Sequence, residues 1–121
     1  MIVTGTDLIE IDRISKTLET YGERFTKRIF TKHEIIFCNE KPNSFAGRFA
    51  AKEAVMKLLG TGVRGVGWKE IEVHRIRGFK PTINLYRRAK LVAEKQGIIN
   101  IEISISHSKT MALAVAIGEI K

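Results

Sequence analysis

Residues 111–117 read Met-Ala-Leu-Ala-Val-Ala-Ile, and no other stretch narrows the possible folds so far. Side chains of a strand alternate between its faces, so Met111, Leu113, Val115 and Ile117 share one face and Ala112, Ala114 and Ala116 the other. With no polar row to offer water, this strand is expected at the centre of a sheet, buried on both sides. The alanine row leaves room for a helix to come close, and a helix carrying Ala50 and Ala54 is the expected partner. Upstream, Ile101, Ile103 and Ile105 alternate with Glu102, Ser104 and Ser106, the period of a half-buried strand. Ser106-His107-Ser108-Lys109 joins the two strands as a tip rich in groups that bind anions.

The helix is read from Arg48 to Gly62. At 100° per residue Ala50, Ala51, Ala54, Val55 and Leu58 fall on one arc, the buried face of an amphipathic helix. Glu53 and Lys57 form an i,i+4 pair on one border, and Arg48 and Lys52 form a second beyond Phe49 and Met56. Gly60 and Gly62 stop the helix. One carboxylate among three cations beside a Gly-Thr-Gly exit suits a metal-bound polyphosphate. The same residues also describe a solvated helix face with a glycine cap, and the helix alone does not separate the two readings.

The remaining pattern is α+β. A strand runs from Ile2 to about Ile9 and carries Asp7 where apolar residues dominate; a helix from Asp12 ends at Gly22. Thr31 and Glu34 have capping-box spacing, which predicts a helix from Lys32 to about Glu40 and a break over Lys41-Pro42-Asn43-Ser44. A glycine-rich link from Gly60 to Gly67 leads to strands over Glu70–Arg77 and Thr82–Asn84, then a helix from Leu85 to Gln96 stopped by Gly97. The expected fold is an antiparallel sheet packed against helices, one of them long and central, in a single domain over 1–121 without internal repeats.

Charge and cysteine content restrict function. Twenty-one Lys and Arg against thirteen Asp and Glu give a net charge of +8, which favours polyanionic partners: nucleic acid, nucleotides, anionic lipid or an acidic protein. The N-terminus has no secretory pattern and no apolar run approaches membrane-spanning length, so a cytoplasmic protein is expected. Cys38, the only cysteine, is expected as a buried thiol.

Three segments carry a resemblance. Gly5-Thr6-Asp7-Leu8-Ile9-Glu10-Ile11-Asp12-Arg13-Ile14, then Phe45-Ala46-Gly47-Arg48-Phe49-Ala50-Ala51-Lys52-Glu53-Ala54-Val55-Met56-Lys57-Leu58-Leu59-Gly60-Thr61-Gly62, then Ile103-Ser104-Ile105-Ser106-His107-Ser108 resemble the ordered motifs of holo-acyl-carrier-protein synthases, the small bacterial type of 4′-phosphopantetheinyl transferase. Arg24-Phe25 fits between the first two. The chain departs from the family at a short loop from Cys38 to Ser44 and at Phe79, inserted between Gly78 and Lys80-Pro81.

The resemblance implies the 4′-phosphopantetheinyl transferase fold. It also implies transfer of 4′-phosphopantetheine from coenzyme A to a serine of apo-acyl carrier protein, releasing adenosine 3′,5′-bisphosphate, as in fatty acid biosynthesis. It assigns Mg²⁺ to Asp7 and Glu53, and makes Lys57 the catalytic cation near the coenzyme A phosphates. Arg48, Lys52, Ser106, His107 and Ser108 become candidates for the 3′-phosphate and adenosine, with Gly60, Thr61 and Gly62 allowing close backbone approach. The group that takes the serine proton stays open among Glu53, a metal-bound water and a neighbouring carboxylate. An acidic carrier explains the cations Arg13, Lys16, Arg24, Lys27, Arg28 and Lys32, a docking face to which Leu18 and Tyr21 either add apolar contacts or belong as core. The family also implies a homotrimer with coenzyme A across each subunit interface, the final strand in the trimer core and His107 beside Glu53 of a neighbour. Two other classes use the same charge: a small RNA-binding domain, which six Phe, two Tyr and one Trp support poorly, and a non-catalytic module that binds an acidic protein.

Overall fold

The computed structural model describes residues 1–121. In chain order the elements are β1 (Ile2–Glu10), α1 (Ile11–Tyr21), α2 (Glu23–Ile29), α3 (Lys32–Cys38), α4 (Pro42–Leu59), α5 (Gly62–Gly65), a 3₁₀ turn (Trp68–Glu70), β2 (Ile71–His74), β3 (Thr82–Leu85), α6 (Arg87–Gln96), β4 (Ile98–His107) and β5 (Met111–Ile120). β5 lies between β1 and β4 in an antiparallel sheet, and β2 and β3 form a separate hairpin. The alternating C-terminal pattern thus becomes the central strand, as expected.

Packing on that strand is one-sided. Ala112, Ala114 and Ala116 are fully buried, as are Ala46, Ala50, Ala51 and Ala54 of α4, which lies across this face of the sheet. Small side chains on both partners bring helix and sheet close, and Gly5 of β1 marks the tightest point. A Cβ there would overlap the Ala54 carbonyl oxygen and stand 2.7 Å from the Leu58 nitrogen, so only glycine fits. Gly5→Ala is expected to cost about 2–3 kcal/mol, read as a lower urea midpoint at unchanged slope. The other row of β5 is not buried: Leu113 and Ile117 are 40% and 44% exposed, and Leu8 of β1, opposite Leu113, is 59% exposed. Burial of β5 on both faces is therefore corrected to one face, because no helix of the chain packs on the other.

Several boundaries differ from expectation. The segment Lys41–Ser44 is not a break: Pro42 sits at the first helical position of α4, where its fixed φ suits the helix and its missing N–H costs no hydrogen bond. The turn is made earlier, by Asn39 and Glu40, at φ 47° and 62°. The Thr31/Glu34 capping box forms with both reciprocal bonds, but α3 stops at Cys38. α2 was not expected; its seven residues bury only Thr26 and Ile29, too few to show a helical period. Leu85 ends β3 rather than starting α6, and the Gly60–Gly67 link contains α5. Cys38 is fully buried, and burial pushes its thiol up to about 12. No helix is long and apolar enough to cross a membrane.

Candidate active site

Alternation along β1 turns Val3, Gly5, Asp7 and Ile9 toward the helices. Because Gly5 brings β1 against α4 at Ala54, Asp7, two residues further on, meets the side chains that flank Ala54 on the helix rim. Lys57 Nζ donates to Asp7 Oδ1 at 3.1 Å and to the Thr6 carbonyl at 3.0 Å, while its side chain stays 58% exposed. Burial, then the neighbouring Asp7 carboxylate, push the Glu53 carboxyl up to about 6 against the pull of Lys57 and Arg13. Two carboxylates and a half-free ammonium thus share one rim.

This pair fits a hard divalent cation. Both donors are carboxylate oxygens, the type that Mg²⁺ takes, and their mutual repulsion is what a cation between them relieves. Without a cation, a carboxyl raised above its unfolded value contributes stability fully below about pH 4.5 and loses it as pH rises through about 6. Asp7→Asn removes that repulsion. The metal-free variant is expected to melt about 1–3 °C above the wild type at pH 8, with the gap closing toward pH 5, by differential scanning calorimetry.

Arg48 and His107 come together in a second place. They line a cleft of about 380 Å³ with Phe37, Ser44, Arg75 and Arg77. The Arg48 guanidinium lies 4.5 Å from the Phe37 ring centroid and is only 5% exposed, and its Nη2 has no hydrogen-bond partner. Burial, and then Arg75, lower its basicity, while Cys38 and Glu34 oppose them. A buried, unpartnered guanidinium nitrogen in a cleft shared with Arg75, Arg77 and His107 has the chemistry to accept an anion. Arg75 and Arg77 were not singled out from the sequence, although Arg-Ile-Arg at strand spacing places both on one side.

Lys52 is corrected. Its side chain is fully buried, paired with Glu34 Oε1 at 2.8 Å, and donates to the carbonyls of Trp68 at 3.0 Å and Ile71. Glu34, also fully buried, accepts from the Thr31 and Val73 backbone nitrogens at 2.7 Å each. Lys52 therefore ties α4 to α3 and β2 and presents no atom to a ligand; burial lowers its pKa while Glu34 opposes the change.

The other candidates divide similarly. Gly60 and Gly62 adopt φ 75° and 59° with open space around them, so left-handed backbone requires glycine there, and Thr61 Oγ1 is buried without a partner. Ser108 Oγ accepts from the Thr110 and Met111 nitrogens at 3.2 and 3.1 Å and shapes the β4–β5 turn. Ser106 is exposed on the opposite face of β4 from His107. Arg13, Arg24 and Arg28 are all exposed, whereas Lys16 and Lys27 are tied to Asp12 and Glu23.

Comparison with known proteins gives this geometry a family. Residues 4–116 match the model of the 4′-phosphopantetheinyl transferase superfamily. The chain is 49% identical to the holo-[acyl-carrier-protein] synthase of Solibacter usitatus over 124 residues, covering 98% of this chain and 99% of that protein. The crystal structure of Helicobacter pylori holo-[acyl-carrier-protein] synthase in complex with coenzyme A superimposes with TM-score 0.86 at 32% identity, covering 98% of this chain and 100% of that one. The Neisseria meningitidis enzyme gives 0.88 at 35%, covering 98% and 99%. With the motifs around Asp7, Glu53 and His107 inside the matched region, and the fold shared end to end, the chain belongs to the 4′-phosphopantetheinyl transferase superfamily.

Proposed function

We propose that this protein is a holo-acyl-carrier-protein synthase, moving 4′-phosphopantetheine from coenzyme A to the serine of an apo-acyl carrier protein. A bond forms between the serine oxygen and the β-phosphorus, the pyrophosphate bridge breaks, the serine proton is lost, and adenosine 3′,5′-bisphosphate leaves. The observation that carries this reading is the Asp7–Glu53–Lys57 cluster in a chain 49% identical to a named synthase. Asp7 and Glu53 would hold Mg²⁺, which when bound neutralises pyrophosphate charge. Lys57, anchored by Asp7 and the Thr6 carbonyl, keeps an exposed ammonium for phosphate oxygens. Arg48, Arg75 and Arg77 offer charge to the 3′-phosphate, and His107 a ring nitrogen for hydrogen bonding.

A homotrimer acting in the cytoplasm belongs to the same proposal, and the placement of these groups supports its assembly. Arg48 lies on α4 twelve residues before Gly60, which caps that helix, about 18 Å along its axis, so the Arg48 cleft and the Gly60 end serve one small donor more readily from two adjacent chains. The open stripe of Leu113, Val115 and Ile117 on β5 supplies an apolar face for such an assembly. Ile117→Glu is expected to sediment as monomer and to lose at least about tenfold in turnover, read by analytical ultracentrifugation beside the assay. The transfer itself is tested by chromatography of the nucleotide product. Adenosine 3′,5′-bisphosphate should appear only when coenzyme A, apo carrier and Mg²⁺ are all present, and should vanish with EDTA; release without carrier, or no release, would refute the reading.

A further inference from the structure

A second groove lies beyond Phe49, one helical turn before Glu53. Phe25, Phe49 and Trp68 make a continuous aromatic cluster, with centroids 6.4 Å apart for Phe25–Phe49 and 4.9 Å for Phe49–Trp68. Past Trp68 the surface opens into a groove of about 880 Å³, floored by Trp68 and Tyr86 and rimmed by Arg28, Lys69, Arg87 and Lys90. All four rim cations are exposed, and none is among the residues forming salt bridges. The carboxylate in the groove, Glu70, is already committed: it accepts from the Gly67 nitrogen at 3.0 Å and pairs with Arg88 Nε at 3.2 Å. The groove therefore presents uncompensated positive charge around an aromatic floor.

We propose that this groove is a second docking site for the acidic carrier protein, continuous through Arg28 with the basic face of α2 and gripping an acidic segment of the carrier away from its acceptor serine. The inference rests on the transferase reading above. Continuity supports it: Arg24 and Arg28 lie one turn apart on α2, and Arg28 belongs to both the α2 surface and the groove. Charge supports it as well, because four unpaired cations attract an acidic protein and set its register. The floor suits a macromolecule, since Trp, Tyr and Arg are the residues that carry most energy at protein interfaces. The donor's anionic groups have a separate cleft at Arg48, Arg75, Arg77 and His107, which shares no residue with this groove.

The test is steady-state kinetics with apo-acyl carrier protein and coenzyme A varied separately, at low and moderate salt. Arg87→Glu/Lys90→Glu on α6 and, independently, Lys69→Glu on the 3₁₀ turn are compared with Lys95→Glu, an exposed residue on the last turn of α6 outside the groove. The groove variants should raise KM for the carrier at least about tenfold at low salt, weaken its salt dependence, and leave kcat and KM for coenzyme A near wild type. Lys95→Glu should match the wild type. A carrier KM within twofold of wild type in both groove variants overturns the proposal. So does an equal rise with Lys95→Glu, which assigns the effect to net charge, or a parallel rise in KM for coenzyme A, which assigns the groove to the donor. Failure of the wild type to modify any carrier is different: it removes the transferase reading, and this proposal falls with it.

Discussion

Glu53→Gln is expected to leave the fold intact and lower kcat/KM by about 10³-fold or more. The side chain stands on the rim of α4, only partly buried, with Asp7, Lys57 and Arg13 as its charged neighbours rather than a partner in the core. The amide keeps the shape and relieves the repulsion from Asp7, so the metal-free variant should melt no lower than the wild type. What it loses is a negatively charged oxygen at the point where pyrophosphate charge must be neutralised, and removing one such preorganised group typically costs two to three orders of magnitude or more. Far-ultraviolet circular dichroism and a melting curve measured beside the assay separate this from unfolding. A variant that is stable and fully active would remove Glu53 from the chemistry.

Lys52→Met is expected to do nearly the reverse. Methionine fills most of the volume of the lysine stem but leaves Glu34 without its cation at a site with no solvent access, and breaking one side of a buried pair typically costs about 3–5 kcal/mol. The loss should appear as a lower urea midpoint. Adding Glu34→Gln should recover part of it by leaving no charge buried, and only part, because the two backbone nitrogens meet different carboxylate oxygens and the single amide oxygen can accept from only one of Thr31 and Val73. Below its melting temperature Lys52→Met should bind coenzyme A with unchanged KM, because Lys52 reaches no ligand surface. A selective rise in that KM at full folding would return Lys52 to the donor site.

These two substitutions mark how far the sequence could be read. Adjacent residues of one motif, Lys52 and Glu53, look alike as charges at helical spacing, yet one is the internal lock and the other the open rim. Helical periodicity gives the angle between them but not what stands opposite, and the occupant opposite Lys52 is Glu34, eighteen positions upstream in another helix. Glu34 was legible as a capping-box residue, and that assignment holds; its second oxygen and second role depend on tertiary contacts. Strand alternation was read more fully: the alanine row of β5 pointed to α4 as its partner, and the strand is central, though with one buried face rather than the two from which that place was expected. The uncovered Leu113 and Ile117 face escaped the same pattern, since apolar residues read alike whether a helix of the same chain or another subunit covers them. His107 and Arg48, both expected at the donor phosphates, line one cleft, whereas the Ser108 hydroxyl expected beside them is used locally by the β4–β5 turn.

The decisive measurement is the intact mass of an apo-acyl carrier protein after incubation with coenzyme A and Mg²⁺, for the wild type and Glu53→Gln side by side. The wild type should add one phosphopantetheine to the carrier and add none in EDTA, and the variant should leave the carrier unmodified on the same timescale. An unmodified carrier with the wild type, or equal modification by both proteins, would show that the Asp7–Glu53 pair is not the seat of a phosphopantetheinyl transfer.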